Sequence, residues 1–423
     1  MKTIMQRRYF LKSGAVALVT MWLSPSFLRR TAFGMELPAA QKGKTLVCLF
    51  QRGAADALNV VVPFGDKSYY ALRPNIAIPA PLSGMGTTAA LDLDGFFGLH
   101  PSLAPLKPLW DRGLLAPIHA VGSPSSTRSH FDAQDYMESG TPDVKGTTTG
   151  WLNRYLATSG TCEECNVTPS PFRAVAMTPQ TPRILEGSAP AVAMNSLDEF
   201  AVRGSSTDQT ARLESLYRTG SSDVIHGAGN EMFEAVKMLK SANPTQYQPQ
   251  NGADYPKSQF GTRLKQIAQL IKSGVGLEIA FADIGGWDTH VNQGAVTGQL
   301  SQRLDDFGKS IAALTTDLGD QMQDVVILTM SEFGRTAKQN GNGGTDHGHG
   351  GAMFVIGGSV RGKKVYGKWP GLAPNQLNEG RDLALTTDFR QVFSEIASGH
   401  LGAKKIDALF PGYTPTGTLG LLG

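Results

Sequence analysis

The sequence predicts an α/β fold in which a doubly wound, mostly parallel β-sheet carries helices on both faces. The 423-residue chain alternates short apolar runs with helical patterns, which is typical of parallel strands covered on both sides. Polar residues directly follow several of these runs, and open α/β sheets bind ligands at that edge. The predicted strands are Leu46–Phe50, Leu114–Val121, Arg173–Met177, Leu277–Ala282, Val325–Met330 and Ala352–Ile356.

The first 34 residues are predicted to be a removable export signal. The stretch Gln6–Lys12, with its pair Arg7-Arg8, resembles the twin-arginine signal, and an uncharged run follows it. That run is too short to span a bilayer comfortably, because spanning needs about 20 apolar residues. Cleavage is expected after Gly34, with a site near Ala39 or Ala40 or an uncleaved anchor as alternatives. We therefore expect the twin-arginine export machinery as a partner and a periplasmic or otherwise exported protein.

Removal of this signal changes the charge balance of the chain. The full sequence has 39 basic and 36 acidic residues. Residues 1–34 hold six of the basic residues and no acidic one, which leaves 33 basic residues against 36 acidic ones. Lys and Arg are not clustered in the remainder as a nucleic-acid or anionic-lipid surface would require. We therefore expect no nucleic-acid partner.

The three cysteines are too few for a disulfide framework. Cys48 lies within an apolar run and is predicted to be a buried core thiol. Cys162 and Cys165 lie close together, and no second pair is present to complete a zinc site with them. A small local disulfide formed after export is the first interpretation, and two free surface thiols are the second.

The clearest predicted helix runs from about Ala295 to Leu318, because apolar residues recur there every three or four positions. This stripe is expected to pack against the sheet. Between about Asn195 and Phe260 the strand signals stop. Polar helical stretches at Gln209–Arg218 and Met232–Ser241 predict a helical insertion there.

Two polar clusters are typical of a metal site. A glycine-rich loop before the last predicted strand contains Asp346, His347 and His349, and a second cluster contains Asp288 and His290. His nitrogen and Asp oxygen are the usual zinc donors, and glycine lets neighbouring residues aim at one point. One or two divalent ions, zinc foremost, are therefore expected. The alternative is a polar turn whose histidines only cap the strand.

Further polar residues follow other predicted strands. Arg52 and Asp56 come after the first strand, Asp283 after the Leu277 strand, and Glu332 after the Val325 strand. Because ligands bind beyond the carboxyl ends of strands in such sheets, loops from distant parts of the chain are expected to converge. The residues predicted to lie within metal-ligand reach of one another are Asp288, His290, Glu332, His347 and His349.

Seven motifs, taken as a set, resemble the DUF1501 proteins, a group within the alkaline phosphatase and sulfatase superfamily. They are Arg52–Asn59, Phe97–Ser102, Arg128–Gln134, Gly285–His290, Ser331–Thr336, Asp346–His349 and Phe410–Tyr413. The resemblance covers about residues 44–420. It implies an alkaline-phosphatase-like domain that carries the insertion at about residues 195–260.

The resemblance also implies a site of one or two metal ions. The superfamily builds such sites from Asp and His residues after strands, with a Ser, Thr or modified Cys at a helix start as nucleophile. Carried onto this chain, the implied metal ligands are Asp56, Asp283, Asp288, His290, Glu332, Asp346, His347 and His349.

Ser129 is the candidate nucleophile, because it precedes a predicted helix whose dipole and free N–H groups favour a phosphate. Ser129 with Asp132 three residues later fits an N-cap equally well, and Thr127 is a lesser candidate nucleophile. The candidate groups for holding the anion are Arg128, His130 and Arg52.

The function that follows is an exported, metal-dependent hydrolase of phosphate or sulfate esters. Its expected substrate is a small anionic ester, with a sugar or lipid conjugate as the two options. The alternative is a non-catalytic cell-envelope binding or structural protein that retains the fold. Two departures favour it: Ser331-Glu332 stands where the superfamily has Asp-His, and only one residue separates Asp288 from His290.

Overall fold

The structure is a computed structural model that describes residues 43–81, 88–159, 170, 172–197 and 247–423. Three predictions fall on other residues. The export signal of residues 1–34, the pair Cys162 and Cys165, and residues 198–246 of the predicted insertion lie outside the described residues.

All six predicted strands are present, within a larger mixed sheet. The described strands are β1 (Thr45–Gln51), β2 (Val61–Val62), β3 (Leu91–Asp92), β4 (Gly98–Leu99), β5 (Leu115–Gly122), β6 (Ala174–Ala176), β7 (Val192–Ala193), β8 (Ile279–Ile284), β9 (Val325–Met330), β10 (Gly351–Gly357) and β11 (Thr387–Asp388). Eight of them form one sheet in the order β11-β5-β10-β9-β1-β8-β6-β7, and β2, β4 and β3 form a small antiparallel sheet.

Helices cover both faces of the large sheet. They are α1 (Ala57–Val60), α2 (Lys67–Leu72), α3 (Lys107–Asp111), α4 (His130–Ser139), α5 (Trp151–Ser159), α6 (Gln259–Ser273), α7 (Gln299–Leu318), α8 (Phe389–Gly399) and α9 (Ile406–Leu409). Alternate residues of the fully buried β1 belong to two separate cores. Val47 and Leu49 pack with the core that contains α6 and α7, whereas Leu46, Cys48 and Phe50 pack with the core of α5 and α8. The predicted α/β class is confirmed.

One predicted helix differs from the sequence prediction at its boundary, and one further helix was not predicted. The α7 helix begins at Gln299 rather than at Ala295, because Gly298 precedes it with a positive φ of 121°. The α6 helix occupies the sequence directly after the predicted insertion and was not predicted. Its signals were present: Ser258 caps its first turn, and Gly274 ends it in the left-handed conformation.

The direction of β10 determines which loops meet. The strands β1, β8 and β9 are parallel, so the loops that follow them lie at one edge of the sheet. The strand β10 is antiparallel to both β9 and β5, and therefore begins at that same edge. In a wholly parallel sheet the loop before β10 would lie at the opposite edge. This reversal brings the loop of His347 to the loops after β1, β8 and β9.

No helix in the described part of the chain is long and apolar enough to cross a membrane.

Cys48 is a free, fully buried thiol on β1, as predicted. Its burial in an apolar core raises the pKa of the thiol well above its ordinary value.

Candidate metal centre

Three elements bring side chains to one point at the carboxyl edge of the sheet. His130 is the first residue of α4, Asp288 lies in the loop after β8, and His347 lies in the loop before β10. One donor atom from each of these three side chains lies within 4.8 Å of the other two. The sequence predicted Asp288 and His347 as ligands but gave His130 a different role, that of holding an anion.

The spacing of the donor atoms is close to that of a coordination shell. His347 Nε2 lies 3.0 Å from His130 Nε2 and 3.2 Å from Asp288 Oδ1. A fourth side chain, His290, places its Nε2 3.1 Å from His347 Nε2 and 3.0 Å from Asp288 Oδ1. Ligand atoms around a tetrahedral zinc ion are about 3.3 Å apart, since each bond is about 2.0 Å long. The side chains need little movement to surround an ion.

The other ring nitrogen of each histidine faces a hydrogen-bond acceptor. His130 Nδ1 lies 2.8 Å from Glu332 Oε1, and His290 Nδ1 lies 2.9 Å from Asp346 Oδ1. His347 Nδ1 lies 2.9 Å from the carbonyl oxygen of Arg128. These acceptors place the proton of each neutral ring on Nδ1, so the Nε2 atoms present lone pairs to one another. A cation bound among the Nε2 atoms would remove this repulsion.

The carboxylate of Glu332 is built into the protein behind His130. It is fully buried, and its Oε1 also accepts hydrogen bonds from Gly53 N at 2.8 Å and Gln134 Nε2 at 2.9 Å. Burial alone would raise the pKa of Glu332, but the hydrogen bonds from His130, Gln134 and Gly53 outweigh it and lower that pKa. In turn, the hydrogen bond to Glu332 raises the pKa of His130 above its ordinary value.

Arg335 supports the single carboxylate of the cluster. Its buried guanidinium donates to Asp288 Oδ1 and to the carbonyl oxygen of Thr345. Burial would raise the pKa of Asp288, but the hydrogen bond and charge of Arg335 outweigh that effect and lower it. The side chains of Asp288 and His290 are 40% and 39% exposed, so the centre opens to solvent on their side. A catalytic zinc ion needs a coordination position for water or substrate besides its protein ligands, and this exposed side is where such a position would lie.

Several predicted ligands occupy other positions. Asp56 is buried and gives both oxygens to Arg73, at 2.6 and 2.9 Å, so neither is free for an ion. Asp283 likewise binds two guanidinium groups, those of Arg52 at 2.7 Å and Arg263 at 3.0 Å. In both cases the arginines supply the positive charge that a metal would have supplied.

His349, Glu332 and Asp346 are also placed differently from the prediction. His349 does not belong to the cluster of donor atoms; its electrostatic neighbours are Asp382, Arg128 and Glu379. Burial lowers the pKa of His349 and favours its neutral form. Glu332 and Asp346 orient histidine rings through Nδ1, and so lie one hydrogen bond further from the centre than a ligand would.

The candidate nucleophile and anion-holding groups are engaged in structural contacts. Ser129 is the N-cap of α4, and its Oγ accepts a hydrogen bond from Asp132 N at 3.4 Å. Arg128 donates to Glu379 and Asp382, at 2.7 and 2.8 Å. Arg52 pairs with Asp283 and with the buried carboxylate of Glu138, at 2.9 Å. Thr127 Oγ1 accepts from Ser129 N at 3.3 Å.

Sequence reasoning gave no role to Arg335 and Gln293. Arg335 lies inside the recognised motif Ser331–Thr336, but its partner Asp288 is 47 residues away in the chain. Gln293 belongs to no motif. Only the folded arrangement reveals what these two side chains contact.

Comparison with known proteins gives one family match. A family model described as a protein of unknown function, DUF1501, matches residues 116–408. One similar solved structure is the crystal structure of the PsFucS1 sulfatase from Pseudoalteromonas sp., at 12% identity and a TM-score of 0.33. The match covers 76% of this chain and 64% of that one, so this chain spans less than two thirds of its length. A similarity this low carries no argument about function. No curated protein matches the chain.

Proposed function

This chain belongs to the DUF1501 family, and from that premise we propose that it is an exported, metal-dependent hydrolase of phosphate or sulfate esters. The observation that carries the proposal is the meeting of three imidazole Nε2 atoms and the Asp288 carboxylate at a solvent-open point. Every Nδ1 atom of these rings faces an acceptor, and this arrangement supports a cation rather than a hydrogen-bonded cluster.

We assign one divalent ion to this centre, held by His130, Asp288 and His347, with His290 as a fourth donor. Imidazole nitrogen and carboxylate oxygen are the usual donors to zinc in proteins, and we propose zinc as the ion. When bound, such an ion polarises an ester oxygen and lowers the pKa of water. All of these donors except His130 come from the two Asp and His clusters that the sequence predicted as a metal site. One cluster contains Asp288 and His290, and the other contains His347.

The protein residues around the ion fix its surroundings. Glu332 and Asp346 hold the rings of His130 and His290 by accepting from their Nδ1–H groups. Arg335 keeps Asp288 ionised and oriented. The exposed side of Asp288 and His290 admits the anionic head of the ester. Because Ser129 is engaged as a helix cap, we propose water as the nucleophile, with Ser129 as the alternative.

The rim of the centre favours a lipid conjugate over a sugar conjugate. Phe131 is 89% exposed and directly follows His130, and Val291 is 49% exposed and directly follows His290. By covalent geometry, the Cα atom of each lies within about 9 Å of the preceding Nε2 atom. Three large apolar side chains are exposed in the described part of the chain, Phe131, Val144 and Val291, and two of the three adjoin donors of this centre. We propose that they contact an apolar group of the ester.

The non-catalytic alternative also has a specific observation in its favour. Both Arg128 and Arg52 are neutralised by carboxylates, so neither is free to hold the remaining oxygens of a phosphate or sulfate. A cell-envelope binding or structural protein that keeps one metal ion would have the same centre without turnover.

The domain assignment and the export route belong to the same proposal. We propose an alkaline-phosphatase-like domain over residues 44–420 with a helical insertion at about 195–260. We also propose export by the twin-arginine machinery to the periplasm or beyond. In the described eight-stranded sheet, seven strands run in one direction and β10 runs in the other, which supports the domain assignment. The Arg7-Arg8 motif supports the export route.

A hydrolysis screen on the purified protein tests the proposal. Aryl phosphates and aryl sulfates would be offered to the zinc-loaded protein, to the chelator-treated protein and to two alanine variants, His347→Ala and His349→Ala. Turnover should require zinc, disappear in His347→Ala and persist in His349→Ala, because of these two histidines only His347 places a donor atom in the cluster. Turnover that survives both chelation and His347→Ala contradicts a metal-dependent hydrolase. Zinc binding without turnover of any ester favours the alternative.

A further inference from the structure

We propose that Gln293 is a positioning residue that ties the two ligand-bearing loops of the metal centre to a single oxygen atom. The inference rests on the proposed function. Gln293 is fully buried in the loop between β8 and α7. Its side chain hydrogen-bonds to Thr289, Thr345 and Asp56 rather than to the four donor side chains, and acts on the donors through their neighbours in the chain.

The orientation of the Gln293 amide is fixed by Asp56. Gln293 Nε2 donates to Asp56 Oδ2 at 2.7 Å, and a carboxylate in this ion pair only accepts hydrogen bonds. The oxygen Oε1 must therefore point the other way, towards the metal loops. A glutamine side chain with its amide group fixed in this manner offers one acceptor atom at a defined position.

Two buried threonines donate to that one atom. Thr289 Oγ1 lies 2.7 Å from Gln293 Oε1, and Thr345 Oγ1 lies 3.0 Å from it. Thr289 stands between Asp288 and His290, and Thr345 precedes Asp346. The loop after β8 and the loop before β10 are thus joined close to their donors, between Asp288 and His290 in one loop and two residues before His347 in the other. Thr345 N also donates to the carbonyl oxygen of Thr289, at 3.2 Å, which reinforces the same junction.

The anchor behind Gln293 is rigid. Asp56 and Arg73 form a buried ion pair with two hydrogen bonds. Arg73 also donates to the carbonyl oxygens of Thr336 and Ala337, both at 2.9 Å. Thr336 N in turn bonds to the carbonyl oxygen of Asp346, at 2.9 Å. The buried Asp56, which the sequence suggested as a ligand, therefore acts on the centre from a distance, through Gln293.

An ordinary buried polar network would stabilise the fold without affecting the ion, and the experiment separates these roles. The zinc dissociation constant of the purified protein would be measured by competition with a chromophoric chelator. The thermal midpoint of the metal-free form would be measured in parallel. The variants are Thr289→Val, which removes one hydroxyl and keeps the side-chain shape, and Gln293→Met, which removes all three hydrogen bonds.

The matched control is Thr45→Val. Thr45 is also buried, and its hydroxyl donates to the carbonyl oxygen of Leu277 at 2.8 Å, at the start of β1 and thus at the sheet edge opposite the centre. All three variants should lower the thermal midpoint. Only Thr289→Val and Gln293→Met should weaken zinc binding, by about 10-fold and by about 10-fold to 100-fold respectively, as loss of groups that orient ligands does.

Two results would overturn the inference while leaving the proposed function intact. One is a Thr289→Val protein that is folded and binds zinc as tightly as the wild type. The other is a Thr45→Val protein that loses as much affinity as Thr289→Val, since affinity would then follow global stability. If Gln293→Met does not fold, Thr289→Val still decides. A wild-type protein that binds no zinc overturns the proposed function and this inference with it.

Discussion

Ser129 has one hydroxyl for two roles, and the structure shows it in one of them. Its Oγ accepts from Asp132 N at the start of α4. We predict that Ser129→Asn keeps the thermal midpoint near the wild-type value, because Asn is an equally good N-cap, whereas Ser129→Ala loses about 1 kcal/mol. Hydrolysis by Ser129→Asn should stay within about tenfold of the wild type if water attacks the ester. A loss of about a hundredfold or more at unchanged stability would instead assign the nucleophile to Ser129.

Two buried histidines should make the protein sensitive to acid. His119 Nε2–H donates to the carbonyl oxygen of Val61, and its Nδ1 accepts from Ala120 N. His100 is bound in the same manner, by Ala295 and Ser102. Burial lowers the pKa of each to about 4, from an ordinary value of 6.5. The unfolded chain therefore takes up these protons first, and stability falls as the pH falls from 6.5 towards 4.

His119→Gln tests this at the level of one side chain. Unfolding by urea would be measured in the presence of a chelator at about pH 7.5 and about pH 5, for the wild type and the variant. His119 should account for about 2 kcal/mol of the wild-type loss between these two pH values. His119→Gln is expected to be less stable than the wild type at the higher pH. Its loss of unfolding free energy between the two pH values should be smaller than that of the wild type by about 2 kcal/mol. Equal losses in both proteins would show that His119 does not titrate as described.

At the scale of elements, the antiparallel strand β10 is what the sequence could not reveal. The apolar run of β10 and its buried position followed from composition, but a continuous apolar run carries no information about direction. The reversal explains why the loop before β10 meets the loops after β8 and β9. It also means that the predicted convergence was reasoned from a parallel sheet, yet depends on the one strand that is not parallel.

The close approach of these loops depends on Gly344. A Cβ atom at this position would overlap the carbonyl group of His290 and the carbonyl oxygen of Thr289. We predict that Gly344→Ala pushes the two loops apart and weakens zinc binding roughly tenfold or more, measured by chelator competition.

Gly341→Ala in the same loop is the matched control for that prediction. A Cβ atom at Gly341 would meet nothing within 4 Å, and the backbone there is not in the left-handed region. Its zinc affinity should equal that of the wild type. If Gly344→Ala bound zinc as tightly as Gly341→Ala and the wild type, zinc binding would not depend on this close approach of the loops.

On the scale of the whole molecule, the sequence predicted the fold class well and the individual roles less well. Residue types and their positions at strand ends are local properties, and they predicted Asp288, His290 and His347, whose donor atoms lie close together in the structure. Whether a carboxylate meets a metal or an arginine depends on distant residues. For this reason Asp56 and Asp283 were assigned as ligands although Arg73 and two other arginines neutralise them.

Export is a property of the whole chain that can be tested directly. We predict that replacing Arg7 and Arg8 together by Lys blocks export and leaves a folded protein in the cytoplasm. The export machinery recognises the signal sequence and not the folded domain. Fractionation of cells that produce each protein would measure this. A double variant that reaches the cell envelope at the wild-type rate would show that another route is used.

We infer that one divalent ion binds among the converging side chains. Anomalous diffraction at the zinc absorption edge, from crystals of the protein grown with zinc, tests it most directly. We expect one strong peak within about 2.3 Å of His130 Nε2, His347 Nε2 and the Asp288 carboxylate. Zinc-saturated crystals without a peak there, or with their only peak beside His349, Glu379 and Asp382, would contradict it.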